Sequence, residues 1–150
     1  MKVGEMCSRG VVFVFESASL RDVAVLMKER HVGAVVVIAK SSTAPQPVGI
    51  ITDRDIVRAQ LAHVAELSRL RVADVMTKPL LTLRSDEELE DAIATLRARG
   101  VRRAPVVNDR GELVGFLSTD DLIAEVARQV STLAKLLQRQ PAQEWRQKTG

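Results

Sequence analysis

Val48-Gly49-Ile50-Ile51-Thr52-Asp53-Arg54-Asp55-Ile56-Val57 recurs, 66 residues further on, as Val114-Gly115-Phe116-Leu117-Ser118-Thr119-Asp120-Asp121-Leu122-Ile123. Each copy reads as a short apolar strand containing a glycine, a hydroxyl residue where the strand ends, and a carboxylate three residues later, where a helical pattern begins. Upstream, Val3 to Ile38 lies over Val72 to Val107 without a gap at an offset of 69 residues. The difference between the two offsets falls in the Ser/Pro-rich loop Lys40–Pro47, so the chain is two copies of one unit. A unit of about 65 residues buries too little surface to be comfortable alone, and the two copies are expected to share one domain.

The elements follow from periodicity. Lys2–Ser8 and Arg71–Thr77 are short helical leads into the repeats, and Val11–Phe15 and Leu80–Leu83 read as strands. Leu20, Val23, Ala24 and Met27 share one face of a helix opened by Ser17 or Ser19. Its counterpart carries Leu89, Ala92, Ile93 and Leu96 behind a capping box, Ser85-Asp86-Glu87-Glu88. Ala34–Ala39 and Ala104–Asn108 are β-branched runs of the buried-strand kind, and Asn108-Asp109-Arg110-Gly111 turns the second into a hairpin with Leu113–Leu117. Closing helices run from Asp53 to about Ala62 and from Asp120 to about Gln138, where Pro141 is expected to stop the second. Each unit is thus β-α-β-β-α in an α+β fold with α/β-like character. The expected divisions are repeat 1 over 1–63, a linker over 64–71, repeat 2 over 72–130, and a helical extension with a polar basic tail over 131–150.

Composition narrows the function. The chain has 150 residues, 46% of them hydrophobic and 27% charged, which suits a folded globular domain. The apolar run Val11–Phe15 is too short for a signal peptide or a membrane span, so a cytoplasmic location with no membrane partner is expected. Cys7 is the only cysteine and His31 and His63 are the only histidines, which leaves no disulfide and no metal-ligand cluster. Cys7 matches Met76 in the second copy and reads as a packing residue. The net charge of +3 is concentrated in residues 128–150, which carry +4, so the repeated body is close to neutral. With Trp145 as its one aromatic, the basic tail lacks the stacking residues of a single-strand binder, and nucleic acid is not the expected partner. No nucleophile, base and orienting group converge, and no enzyme activity is expected.

The doubled Gly-h-h-(Ser/Thr)-x-x-Asp junction (h, hydrophobic), with the run Gly100-Val101-Arg102-Arg103-Ala104-Pro105-Val106-Val107, resembles a tandem pair of CBS domains, a Bateman module, over about residues 3 to 127. It is similar in particular to the small stand-alone bacterial two-CBS proteins. The resemblance implies two repeats packed about a pseudo-twofold axis, with clefts that take adenosine-containing ligands. By position, Asp55 and Asp121 would accept from ribose hydroxyls, Thr52 and Ser118 would meet ribose or phosphate, and Arg103, with Arg102 beside it, would contact phosphate. Independently, a hydroxyl among the open N–H groups of a helix start suits a phosphate, and an acceptor-only carboxylate suits a vicinal diol. The same Thr/Ser-x-x-Asp pattern is also close to a capping box.

The first copy has Gly33 and Ala34 where the second has Arg102 and Arg103, so one cleft should be far richer in cations; the sequence leaves open which. The resulting expectation is a regulatory or sensor module binding an adenine nucleotide, AMP first, then ADP or ATP, ahead of S-adenosylmethionine or NAD. No cofactor is required, and the signal passes to an unknown protein partner. The alternative is a ligand-free dimerisation or interaction scaffold. A homodimer through Val57, Leu61, Leu122, Ile123 and Val126 is expected, because the closing helices carry more apolar surface than one small module covers.

Overall fold

The structure, a computed structural model, describes the chain apart from residues 41, 42, 64, 65, 79, 149 and 150 and the side chains of 139–148. The start of the expected linker, Val64 and Ala65, and the side chain of Trp145 therefore lie outside the described residues. The chain divides into a unit over Met1–Leu117 and a second over Ser118–Gly150. The element order is α1 (Val3–Met6), β1 (Phe13–Phe15), α2 (Leu20–Arg30), β2 (Ala34–Ile38), β3 (Pro47–Thr52), α3 (Asp53–Ala62), α4 (Val72–Val75), β4 (Leu83–Arg84), α5 (Leu89–Arg99), β5 (Arg103–Val107), β6 (Leu113–Ser118) and α6 (Thr119–Lys148).

Two three-stranded sheets form, in the orders β1-β2-β3 and β4-β5-β6. In the first, β1 runs parallel to β2 (Phe13 opposite Val36), and β2 runs antiparallel to β3 (Val35 opposite Ile51). In the second, β4 is parallel to β5 with Leu83 opposite Val106. Each parallel step crosses over through the intervening helix, as a parallel pair requires. α2 starts on a Ser19–Asp22 capping box and buries Leu20, Val23 and Met27 against β2 and β3.

The lead-in helices exchange places. α4, which opens repeat 2 in sequence, docks on repeat 1. Val72 N–H donates to the Ala18 carbonyl at 2.9 Å and Ala73 N–H to that of Glu16 at 3.1 Å, and the side chains of Val72 and Met76 are buried in repeat 1's core. α1 does the reverse. Val3 N–H donates to Glu87 O at 3.1 Å, Gly4 N–H to Ser85 O at 2.9 Å, and Ser8 pairs with Phe116. Lys2 also bonds Glu88, which holds the Glu88 carboxyl below the usual glutamate range.

This exchange explains the glycine of the repeated motif. A Cβ on Gly49 would collide with the Met76 side chain, and one on Gly115 would collide with Cys7 and stand 3.0 Å from the Ser8 carbonyl oxygen. Cys7 and Met76 are therefore matched packing residues, each seated on the other repeat's glycine. Burial pushes the Cys7 thiol up, away from the reactive thiolate.

Three local expectations are overturned. α5 begins at Leu89 on an N-cap Glu88 that makes no side-chain cap, and Ser85 does not open it. Ser85 is held instead by the backbone, its N–H donating to Val107 O at 2.9 Å and its carbonyl accepting from Gly4. Ile93, placed on the core face of that helix, is 43% exposed, while Ala92 and Leu96 are buried. The backbone of α6 stays helical through Pro141 to Lys148. One proline removes a single intrahelical bond, and the surrounding Ala142, Gln143, Glu144, Gln147 and Lys148 are good helix formers.

Candidate functional site

The hydroxyl-to-carboxylate motifs both stand at strand-to-helix junctions, as their spacing requires. At the end of β3, Thr52 is extended (φ −113°, ψ 162°) and α3 starts after it. Thr52 Oγ1 accepts from Asp55 N–H at 3.2 Å, and Thr52 N–H donates to Asp55 Oδ2 at 2.9 Å. At the start of the C-terminal unit, Ser118 Oγ accepts from Asp121 N–H at 3.2 Å. Ser118 N–H and its hydroxyl both donate to Asp121 Oδ2, at 3.3 and 2.6 Å. Both motifs are thus reciprocal capping boxes. Each aspartate enters its box through Oδ2, and Oδ1 takes no part in it.

Thr52 also lines a cleft of about 570 Å³ within residues 1–117. Its walls come from both repeats: Gly33, Ile50, Thr52, Asp53 and Arg54 from the first, and Thr77, Gly100, Val101, Arg102 and Arg103 from the second. A slot of about 300 Å³ shares Ile50, Thr77, Val101 and Arg103 with it and adds Leu80, Leu81, Arg99 and Pro105.

Each wall has a local cause. Thr77 N–H donates to Ile50 O at 2.9 Å, so the exchanged lead-in delivers Thr77 and the residues after it beside β3. Gly100 closes α5 in the left-handed region (φ +63°), and the chain turns there to present Val101 to Arg103 ahead of β5. Asp53 N–H donates to Gly33 O at 3.0 Å, and a Cβ on Gly33 would stand 3.2 Å from Asp53 Oδ2. Glycine there lets the start of α3 lie close to the entry of β2.

The chemistry of the cleft is divided. Ile50, Leu80, Leu81, Val101 and Pro105 make an apolar slot, whereas Arg54, Arg99, Arg102 and Arg103 supply four guanidinium groups against the single carboxylate of Asp53. Arg103 is exposed, and its side chain has no hydrogen bond or ion pair among the described residues. An apolar slot beside guanidinium groups that outnumber the lining carboxylate matches a molecule with an apolar part and an anionic end.

Of the six residues singled out from the sequence, Thr52, Arg102 and Arg103 line this one cleft. Asp55 stands behind Thr52 in the cap and is not among the lining residues, and Ser118 and Asp121 form their own pair at the head of α6. The cation-rich cleft is therefore the one that contains the first repeat's hydroxyl. Sequence reasoning passed over Arg54, although it lies inside the repeated motif, and Arg99, although Arg30 and Arg99 are identical positions of the two copies. It also passed over Thr77, Leu80 and Leu81, whose place depends on the exchange.

The sequence model of the CBS domain matches residues 3–62 and again 72–128. The chain belongs to the CBS-domain family. Among curated relatives, an uncharacterized protein of Methanopyrus kandleri is 29% identical over 133 residues, which are 89% of this chain and 66% of that protein. A homoserine O-acetyltransferase of Methanohalophilus mahii is 30% identical over 85% of this chain, but the match spans only 25% of the enzyme. Among solved structures, a CBS domain protein of Pyrobaculum aerophilum complexed with AMP is 31% identical, with a TM-score of 0.71 over 81% of this chain and 90% of that one. Among the described residues, no helix is long and apolar enough to cross a membrane.

Proposed function

We propose that this CBS pair is a regulatory module that binds an adenine nucleotide, AMP in the first instance, in the cleft lined by Thr52 and Arg103. The observation that carries the reading is the meeting of those two residues, from different repeats, beside an apolar slot. The adenine lies against Ile50, Leu80, Leu81 and Val101. The phosphate faces Arg103, with Arg102, Arg54 and Arg99 adding to the field that draws an anion in. Thr52 meets the ribose, and Asp55, which does not line the cleft, acts through the cap that fixes Thr52. The Pyrobaculum relative complexed with AMP supports the choice of ligand.

Ser118 and Asp121 offer the same chemistry at a second site without an equivalent arginine pair, and binding there is weaker for phosphate-bearing ligands. The module does no chemistry itself. It works in the cytoplasm as a homodimer and passes the nucleotide signal to a protein partner.

A second reading, a ligand-free scaffold, is favoured by one observation: both aspartates are already engaged in helix caps. A thermal-shift panel of AMP, ADP, ATP, adenosine, S-adenosylmethionine and NAD separates the two. A ligand at a hundred times its dissociation constant stabilises the folded state by about 2.7 kcal/mol, which is roughly 5–10 °C for a chain of this size. No shift across the panel supports the scaffold.

A further inference from the structure

α6 runs for 30 residues, Thr119 to Lys148, or about 45 Å of helix. Ile123, Val126, Val130, Leu133 and Leu137 recur on it at alternating spacings of three and four residues, the a and d positions of a heptad. All are exposed, from 59% at Val126 to 66% at Leu137. The positions flanking the stripe carry Leu122, Ala127, Gln129, Ala134 and Leu136, so no charged side chain borders it from Leu122 to Leu137. Glu125 and Arg128 are paired with each other at 2.8 Å through Arg128 Nε and Glu125 Oε2, and with Lys135 they fall outside the stripe.

We propose that this stripe is a seam for a second copy of the same helix, packed antiparallel. The occupant follows from area and charge. Leu136 and the five stripe residues offer roughly 100 Å² apiece, so two copies bury about 1,200 Å², the lower edge of a stable interface. An acidic partner would be drawn by Arg128 and Lys135, but these stand off the seam, and no cation marks the apolar face itself. The orientation follows from the ends. The first turn is acidic, with Asp120 and Asp121, and the C-terminal stretch carries Arg139, Arg146 and Lys148 against Glu144. A parallel pair sets basic end on basic end. An antiparallel pair sets acidic start beside basic end and also opposes the helix dipoles. In that register Val126 faces Leu137, and Val130 faces Leu133. The small Ala127 and Ala134 let the backbones approach.

The seam rests on the pairing proposed above but is independent of nucleotide binding. In a Cys7→Ala background, single variants Val126→Cys and Leu137→Cys are oxidised separately and mixed. Linkage in the mixture, with neither variant linking to itself, is the expected result. Self-linkage of each variant, or none in any sample, overturns the antiparallel seam. Light scattering on Val130→Lys/Leu133→Lys, with Cys7 retained, gives a second measure. The seam predicts a folded monomer whose melting temperature is lower than that of wild type and no longer depends on protein concentration. A persisting dimer overturns the seam while leaving pairing through other surfaces intact, and a monomeric wild type overturns both. The AMP thermal shift of the double variant stays that of wild type in every case in which the nucleotide reading holds.

Discussion

Replacing Arg103 with alanine should separate recognition of phosphate from recognition of adenosine. Arg103 is exposed and its side chain is bonded to no described residue, so truncating it should leave the apo protein within about 0.5 kcal/mol of wild type. Its guanidinium faces the cleft shared with Thr52, where a charge-assisted contact to phosphate contributes roughly 1.5–3 kcal/mol. AMP should therefore bind about 10- to 150-fold more weakly, while adenosine, which never makes that contact, should change less than about twofold. Arg103→Lys should fall between, because an ammonium keeps the charge and loses the planar fork. The AMP affinity of wild type should also fall with added salt more steeply than that of Arg103→Ala. The assay is calorimetric titration of both ligands into the three proteins. Equal AMP affinity in wild type and Arg103→Ala would refute the assignment of the phosphate site, and a matched loss for adenosine would show that the substitution had damaged the cleft as a whole.

Three further outcomes follow from the packing and the caps. Gly115→Ala should lower stability more than Gly49→Ala, by about 1–3 kcal/mol, because at Gly115 the added carbon meets the Ser8 carbonyl, fixed by its bond with Phe116, whereas at Gly49 it meets the flexible Met76. Thermal melts check this, and Met76→Ala should partly rescue Gly49→Ala. Asp55→Ala should cost about 1 kcal/mol of helix capping and, by releasing Thr52, should weaken adenosine and AMP alike, since both carry the ribose; calorimetry showing a loss confined to AMP would contradict this positioning role. Glu88, held low by Lys2, contributes stability that is fully present above its unfolded value and is lost as pH falls through its lower folded value. Glu88→Gln should therefore flatten the acid limb of melting temperature against pH, and an unchanged limb would show that the contact contributes nothing.

The repeat was legible because Val48–Val57 and Val114–Ile123 keep both their apolar spacing and their hydroxyl-to-carboxylate register, and both helix starts stand where that register puts them. The exchange of lead-ins was not legible. Val3 and Val72 carry the same side chain in the same local pattern, and nothing within four helical residues says which core receives it. The placement of Arg103 inherited that gap: the arginine was visible, its companion Thr52 was visible, and only the crossing of the chain brings them together. Gly49 and Gly115 align with each other, as Cys7 and Met76 do, and the structure seats each sulfur residue on the glycine of the other repeat. The cap at Ser85 failed for a different reason. A Ser-x-x-Glu pattern caps a helix only if the serine backbone is free to do so, and here Val107 and Gly4 already hold it.

An adenine nucleotide bound in the cleft between Thr52 and Arg103 would perturb the backbone around it. Amide chemical shifts of the isotopically labelled wild-type protein, followed during titration with AMP, report that perturbation residue by residue. Saturable shifts are expected at Ile50–Arg54, Thr77–Lys78, Leu80–Leu81 and Arg99–Arg103. The amides of Ser118–Asp121 should respond only at higher concentration. Shifts at Ser118–Asp121 with none at Thr52 and Arg103, or none anywhere at millimolar AMP, would contradict binding in that cleft.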